Sequence, residues 1–406
     1  MKLLIVAMPD SVHVARWLRQ VEGLGWDVEV FSSHPCGFSH PALRNVDVHT
    51  FFRSSHPGGV RQHGIPVLQR DLAFVAERAL ARVAPNHRRN ALARLIRRRR
   101  PDVVHSIEMQ HAGYLTLAVR DMLRGEFPPW VVTNWGNDIY HFGKEALHAA
   151  LIRRVLAGCD AYTCECERDV QLGREMGFRG VAFRPYPNAG GFDLAHVRSL
   201  RSGAPSTRRT VMLKGYQNWA GRALVALRAI ESCADVVRRF RLCVYSAVPE
   251  VATAALEVAK RTAMDVEVIR FDANVSHDEM LRRHGEARTS LGVSVTDGVS
   301  TSFLEALVMG SFPIQTWTSC ANEWIEDGET GILVGPDDQG EIAAALRRVL
   351  TDDSLVDRAA DLNWRVATSR LDERILREQT IEMYRAVAGL RSRSGHGPGS
   401  SAGPTA

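Results

Sequence analysis

One stretch limits the folding possibilities more than any other: residues 289–310, TSLGVSVTDGVSTSFLEALVMG. Its small and β-branched residues from Leu291 to Val295 read as a short buried strand. The turn signal Asp297-Gly298 follows, and a helix starts around Ser302. Ser300, Thr301 and Ser302 carry hydroxyls suited to the N-cap, where a side-chain oxygen accepts from the free N–H groups of the first turn. Those N–H groups, with the positive end of the helix dipole, also make an anion site. Asp297 lies on the approach loop and Glu305 about a turn into the helix, so both carboxylates can border an anion held there. A carboxylate repels a phosphate, which leaves it the task of accepting hydrogen bonds from neighbouring hydroxyls. Phosphate together with sugar hydroxyls describes a nucleotide sugar.

A chain of 406 residues is too long for one compact core and implies two or three domains. With 45% apolar and 24% charged residues it has the composition of an ordinary globular protein. No apolar run approaches the length needed to span a bilayer, and LLIVAM before Pro9 reads as a first strand rather than a signal peptide. The seven cysteines, Cys36, Cys159, Cys164, Cys166, Cys233, Cys243 and Cys320, are scattered without zinc-site spacing, as expected for reduced thiols in a cytoplasmic protein. The net charge of +5 is modest, yet Arg94, Arg97, Arg98, Arg99 and Arg100 cluster near His87, Arg88 and Arg89. This run is either a solvated helix end or a peripheral contact with an anionic membrane. Nucleic-acid binding is disfavoured, because no recognised module and no aromatic stacking pattern accompanies the arginines. The loop after the first strand, MPDSVH, contains no glycine, which argues against a dinucleotide fingerprint and hence against NAD or FAD.

Residues 289–310 resemble the donor-binding motif of retaining GT-B glycosyltransferases, particularly glycosyltransferase family 4, where two acids separated by seven residues open a helix. The downstream segments EALVMGSFPIQT and NEWIEDGETGILVGPDD resemble the family's following helix, glycine and strand, and its next helix, turn and strand. The first acid of the family is usually Glu, and here it is Asp297. The resemblance implies an α/β chain of two Rossmann-like, doubly wound parallel-sheet domains facing a central cleft. It assigns residues 1–190 to an N-terminal, acceptor-side domain, 191–208 to a linker and 209–368 to the nucleotide-sugar donor domain. Residues 369–390 become a helix crossing back to the first domain, and 391–406 a disordered tail.

Individual residues follow from the same resemblance. Aligning on Gly215 puts Tyr216 where the family has an Arg and Arg222 where it has a Lys, so Arg222 is the retained diphosphate cation and Lys214 supplies the other. Val275 to Asp278 is the loop expected to meet the nucleotide base through its main chain. Ser11 and His13 lie on the loop expected to face the acceptor or the donor phosphate. Trp135 falls where many members have a His, with Asp138 kept, so Trp135 is read as a stacking surface for a sugar and Asp138 as a hydrogen-bonding partner.

The implied reaction is transfer, with retention, from a nucleotide-diphosphate sugar to an acceptor hydroxyl of a glycan, a glycolipid or a small molecule. Asp297 holds the hydroxyls of the transferred sugar, Glu305 those of the ribose, and Arg222 with Ser300, Thr301 and Ser302 the diphosphate. No Asp-X-Asp metal pattern is present, so no essential metal or cofactor is expected beyond the nucleotide sugar itself. The alternative from another class is a non-catalytic scaffold or sugar-nucleotide sensor of the same fold, motivated by the Asp, Trp and Tyr departures.

Locally, residues 53–66 read as a long polar loop, 67–96 as helical, 199–209 as an exposed spacer, and 341–350 and 355–390 as helical.

Overall fold

Lys2–Ala7 (β1) is apolar almost throughout because it sits inside a sheet, paired in parallel with a strand on each side. The computed structural model, which describes residues 1–54 and 59–394, contains two parallel sheets. The first comprises β1, β2 (Asp27–Ser32), β3 (Asp47–Ser54), β4 (Arg61–Val67), β5 (Val103–Ile107), β6 (Trp130–Thr133), β7 (Ala161–Thr163) and β8 (Val181–Ala182). Their order is β4-β3-β2-β1-β5-β6-β7-β8. The second comprises β9 (Thr210–Lys214), β10 (Arg241–Ala247), β11 (Val266–Arg270), β12 (Ala287–Gly292), β13 (Phe312–Thr316) and β14 (Ile332–Val334), in the order β11-β10-β9-β12-β13-β14. Helices follow most of the strands, though β2 passes to β3 without one, and each sheet reverses its winding beside its first strand, β1 or β9. In open α/β sheets a ligand crevice forms at the strand C-termini next to that reversal.

The chain divides into two compact units. Unit 1 holds residues 1–165, 169–190 and everything from Leu376 on; unit 2 holds 166–168 and 191–375. In unit 2 the helix Thr301–Met309 is buried along nearly its whole length, and it stops at Gly310, whose φ of 73° is the left-handed cap that glycine adopts without penalty. In unit 1 the helix Glu373–Ser394 sends Leu376, Met383, Tyr384 and Val387 into the core over β1.

A polar chain crosses that core. Trp17 Nε1 donates to Tyr384 Oη at 2.9 Å, and Tyr384 Oη lies 2.7 Å from His105 Nδ1. His105 Nε2 stands 2.6 Å from Thr133 Oγ1, which meets Thr163 Oγ1 at 2.7 Å. Burial lowers the His105 pKa to about 3, so the ring is neutral, with Nδ1 accepting from tyrosine and Nε2 donating to threonine.

Several local expectations are corrected. The strand read at 291–295 begins earlier, at Ala287, and leaves the sheet at Gly292. Val293 and Val295 extend the apolar text because their main chain pairs instead with the loop before Ala223: Arg222 N–H donates to Val293 O and Val295 N–H to Ala220 O. The loop read at 53–66 overlaps β3 and the edge strand β4, an edge being where Pro66 is tolerated; residues 55–58 lie outside the described residues. The helix read from residue 67 starts at Arg70 and breaks between Val83 and His87. The exposed spacer overlaps a helix, Leu194–Leu200, and contains the buried Pro205 and Arg208, whose guanidinium donates to four carbonyls, those of Ser202, Gly203, Ala287 and Met309. The stretch read as a tail is helical up to Ser394, and its remainder lies outside the described residues.

Tyr384→Phe leaves the Trp17 N–H and His105 Nδ1 buried without a partner, and is expected to cost about 2–4 kcal/mol in urea unfolding. The unfolded chain protonates this histidine below its ordinary pKa of 6.5, whereas the folded ring resists down to about 3. Stability from this group is therefore fully present above 6.5 and is lost as pH falls through that window, and His105→Gln should flatten that part of the pH profile.

Candidate functional site

In unit 2 the winding reversal brings the end of β9 beside the start of the helix Thr301–Met309. Lys214 closes β9, and its Nζ donates to Ser300 Oγ at 3.1 Å while lying 4.7 Å above the Tyr216 ring. Ser300 occupies the N-cap position, yet no side chain caps the helix. Its hydroxyl is taken by Lys214 and by Ser302 Oγ at 2.8 Å, and Ser302 in turn hydrogen-bonds the Tyr245 hydroxyl. A cation, two serine hydroxyls and an uncapped helix start thus converge, the chemistry that holds a phosphate. Gly215 is required next to them: a Cβ there would stand 2.6 Å from Ala247 Cα, which no ordinary side chain survives.

Glu305 follows one turn along the same helix and is 7% exposed. His277 Nε2 lies 2.9 Å from Glu305 Oε1, and the fully buried His284 has its Nε2 3.9 Å from Oε2. Burial lowers the His284 pKa to about 4, with the Glu305 charge opposing it, so His284 is neutral. His277 also lies over Phe192, with ring centroids 6.3 Å apart and planes 24° from parallel. A buried carboxylate oriented by His277, with the neutral His284 beyond hydrogen-bond reach, is a fixed acceptor for ligand hydroxyls.

The remaining residues named for unit 2 are placed as follows. Asp297 accepts the N–H of Gly298 through Oδ1 at 2.9 Å, the geometry of a tight turn. Arg222 caps the helix Ala223–Ser232 by position, with Nε 3.0 Å from Asp337 Oδ1 and NH1 donating to the carbonyls of Asn218, Trp219 and Gly221. Its charge is already partnered there, and Lys214 is the cation at the Ser300 turn. Val275 N–H donates to Ala273 O on the exposed approach to the helix His277–Glu286, and Thr301 starts the helix that carries Glu305.

In unit 1 Ser11 caps the helix Val12–Arg19, its Oγ accepting from His13 N–H at 3.2 Å. The His13 and Trp135 rings meet edge to face, 5.7 Å between centroids, so the two do not stack on one another. Asp138 is buried and accepts the N–H groups of Met109 at 3.0 Å and Trp135 at 2.9 Å, tying the loop after β5 to the loop after β6. Burial raises the Asp138 carboxyl well above the usual range, and the nearby Glu108 pushes the same way. Glu108 sits at φ 76° and ψ 157°, a conformation costing about 1–3 kcal/mol for a residue with a side chain. Its carboxylate accepts from the main-chain N–H groups of His111 and Ala112, and accepting from the His111 ring as well raises the His111 pKa.

His284, Tyr245 and Glu108 were missed in the sequence, and His277 was covered only as part of the loop Val275 to Asp278. The two histidines carried a usable signal, since positions seven apart in HDEMLRRH share one helix face. Glu108 carried none, because its backbone strain is visible only in three dimensions.

Two family models match the chain: "Glycosyl transferase 4-like" over residues 86–165 and "Glycosyl transferases group 1" over 214–352. Between them they take in more than half of it. Solved structures with the same fold include sucrose-phosphate synthase from Thermosynechococcus elongatus, at 14% identity and a TM-score of 0.68, covering 96% of this chain and all of that one. HepE of Anabaena, solved with UDP, shows 13% identity and a TM-score of 0.64 over 95% of this chain and all of its own. The UDP-forming trehalose-phosphate synthase of Burkholderia vietnamiensis gives 14% and 0.68 over the same shares. No curated protein sequence matches. With a glycosyltransferase model on each half and two Rossmann-like parallel sheets, the chain belongs among the GT-B glycosyltransferases.

Asp138→Ala strands the Met109 and Trp135 N–H groups and is expected to lower unfolding free energy by about 2–4 kcal/mol. Wild-type stability in urea would remove Asp138 from its role as the tie between the two loops.

Proposed function

We propose that the chain moves a sugar, with retention of configuration, from a nucleotide-diphosphate sugar to an acceptor hydroxyl of a glycan, glycolipid or small molecule. The observation that carries this reading is the convergence of Lys214, Ser300, Ser302 and the oriented Glu305 on one helix start beside the winding reversal of unit 2. Lys214 and the uncapped helix start receive the diphosphate, and Glu305 the ribose hydroxyls. Asp297 is assigned to the transferred sugar, and Arg222 becomes available to the donor if it releases Asp337. The bond from the anomeric carbon to the phosphate oxygen breaks, and a bond to the acceptor oxygen forms on the same face. The acceptor proton passes to the leaving phosphate. Charge growing on the diphosphate is stabilised by fixed donors that need no reorganisation. The reading includes no divalent ion at the diphosphate, so added magnesium should leave the rate unchanged. Acceptor binding is assigned to unit 1, through Ser11, His13, Trp135 and Asp138.

The same proposal places the protein in the cytoplasm, in peripheral contact with anionic membrane. No helix among the described residues is long and apolar enough to cross a bilayer. In the helix His87–Arg99, Arg94, Arg97 and Arg98 are exposed, as is Arg100 at its end, while Arg99 lies 2.7 Å from Glu29. Replacing the three exposed helical arginines by Gln should abolish co-sedimentation with phosphatidylserine vesicles; unchanged sedimentation would remove this contact.

Glu305→Gln is expected to lower donor turnover at least tenfold, a loss of about 1.4 kcal/mol of transition-state stabilisation. Slow release of free sugar from the donor without acceptor separates transfer chemistry from the sensor alternative, which releases none. A panel of nucleoside diphosphates and their sugars in thermal-shift measurements identifies the base, and a flat response to all of them would overturn the proposal.

A further inference from the structure

Unit 1 holds a second grouping that the glycosyltransferase reading does not use. Asp10 follows β1, and His34 and Cys36 follow β2, the strand paired with it. One ligating atom from each of the three, a carboxylate oxygen, an imidazole nitrogen and a thiol sulfur, lies within 4.8 Å of the other two. Asp10 Oδ1 and His34 Nε2 are 3.3 Å apart. Two ligands about 2.0–2.1 Å from a tetrahedral zinc ion are separated by about 3.3 Å. Asp10 Oδ1 is shut off from solvent and faces His34 as an ion pair, while Cys36 Sγ donates to Phe38 O at 2.8 Å, contacts that a bound zinc ion would replace.

The frame around the trio is fixed by main-chain bonds. Ser33 N–H donates to Ala7 O and His40 N–H to Pro9 O, both at 2.8 Å, while Ser32 Oγ donates to His34 O at 2.7 Å. The three ligands are thus brought together without using the metal to gather them.

We infer that Asp10, His34 and Cys36 form a binding site for one zinc ion, which fastens the loop after β1 to the loop after β2. Mixed oxygen, nitrogen and sulfur donors suit zinc and exclude calcium and magnesium, which take oxygen shells. Binding replaces the thiol proton of Cys36, released to solvent, by the Zn–S bond, and a water fills the fourth position. Sequence spacing alone gave no zinc pattern, because Asp10 and His34 come from different loops. The other comparable grouping among the described residues is Cys166, Cys320 and Glu323, which has no imidazole. There both Glu323 oxygens already accept main-chain N–H groups, from Glu167 at 2.9 Å and Arg168 at 3.2 Å.

The test is calorimetric titration of the full chain with zinc chloride after chelator treatment, with cobalt(II) absorption as a second readout. About one equivalent is expected, with a near-ultraviolet sulfur-to-cobalt band and visible bands of a four-coordinate ion. His34→Ala should weaken binding at least about 100-fold, and Cys36→Ser should abolish the near-ultraviolet band while circular dichroism stays that of the wild type. Asp10→Asn, the mildest change, should weaken zinc and leave the melting temperature of the zinc-free protein unshifted. Absence of a saturable equivalent, or zinc binding that survives His34→Ala and Cys36→Ser, overturns the inference. So does loss of binding in Cys320→Ser, which would place the ion at the other grouping.

Discussion

A carboxylate almost wholly withdrawn from water, Glu305, is the constraint around which unit 2 is arranged. A buried charge is costly unless its oxygens are engaged, and here His277 and His284 approach from one neighbouring helix. That helix can offer both rings only because they stand two turns apart on one face. His284 is held in turn by Ser290 of β12, whose hydroxyl meets Ser311 just before β13. The acid is therefore held by His277, while His284, 3.9 Å from it, is itself fixed to the centre of the sheet.

The same helix begins at Ser300, where the serine departs from ordinary capping practice. An N-cap hydroxyl normally satisfies the first turn's N–H groups, but Lys214 and Ser302 engage this one instead. Its own helix start is left uncapped, and a positive charge is added beside it. Local stability is weakened at a point where anion recognition gains, the kind of conflict between propensity and fold that accompanies function.

The order of strands and helices was readable because its causes are local: continuous apolar runs for interior strands, a turn at Asp297-Gly298, and periodic apolar faces on helices. The βα alternation and the buried helix ending in Gly310 belong to that class. Edge elements were not readable, since β4 contains Gly64 and Pro66 and is held by pairing with β3 rather than by its own residues. In the site, Glu305 and the hydroxyl run were legible from their place after a strand. Lys214 was named as a second cation, but its bond to Ser300, the histidine pair and the strained Glu108 depend on three-dimensional contacts. Arg222 shows the limit from the other side, for a cation at the expected position can be bound by a carboxylate, Asp337, that no local pattern connects to it.

The chain passes from unit 1 into unit 2 and supplies unit 1 again only after residue 375. During synthesis, unit 2 therefore has all of its residues while unit 1 still lacks Tyr384, the hydroxyl between Trp17 and His105. Until that helix emerges from the ribosome, the Trp17 N–H and His105 Nδ1 in the older half of the polypeptide lack their native partner. The first residues translated are thus among the last to reach their native surroundings.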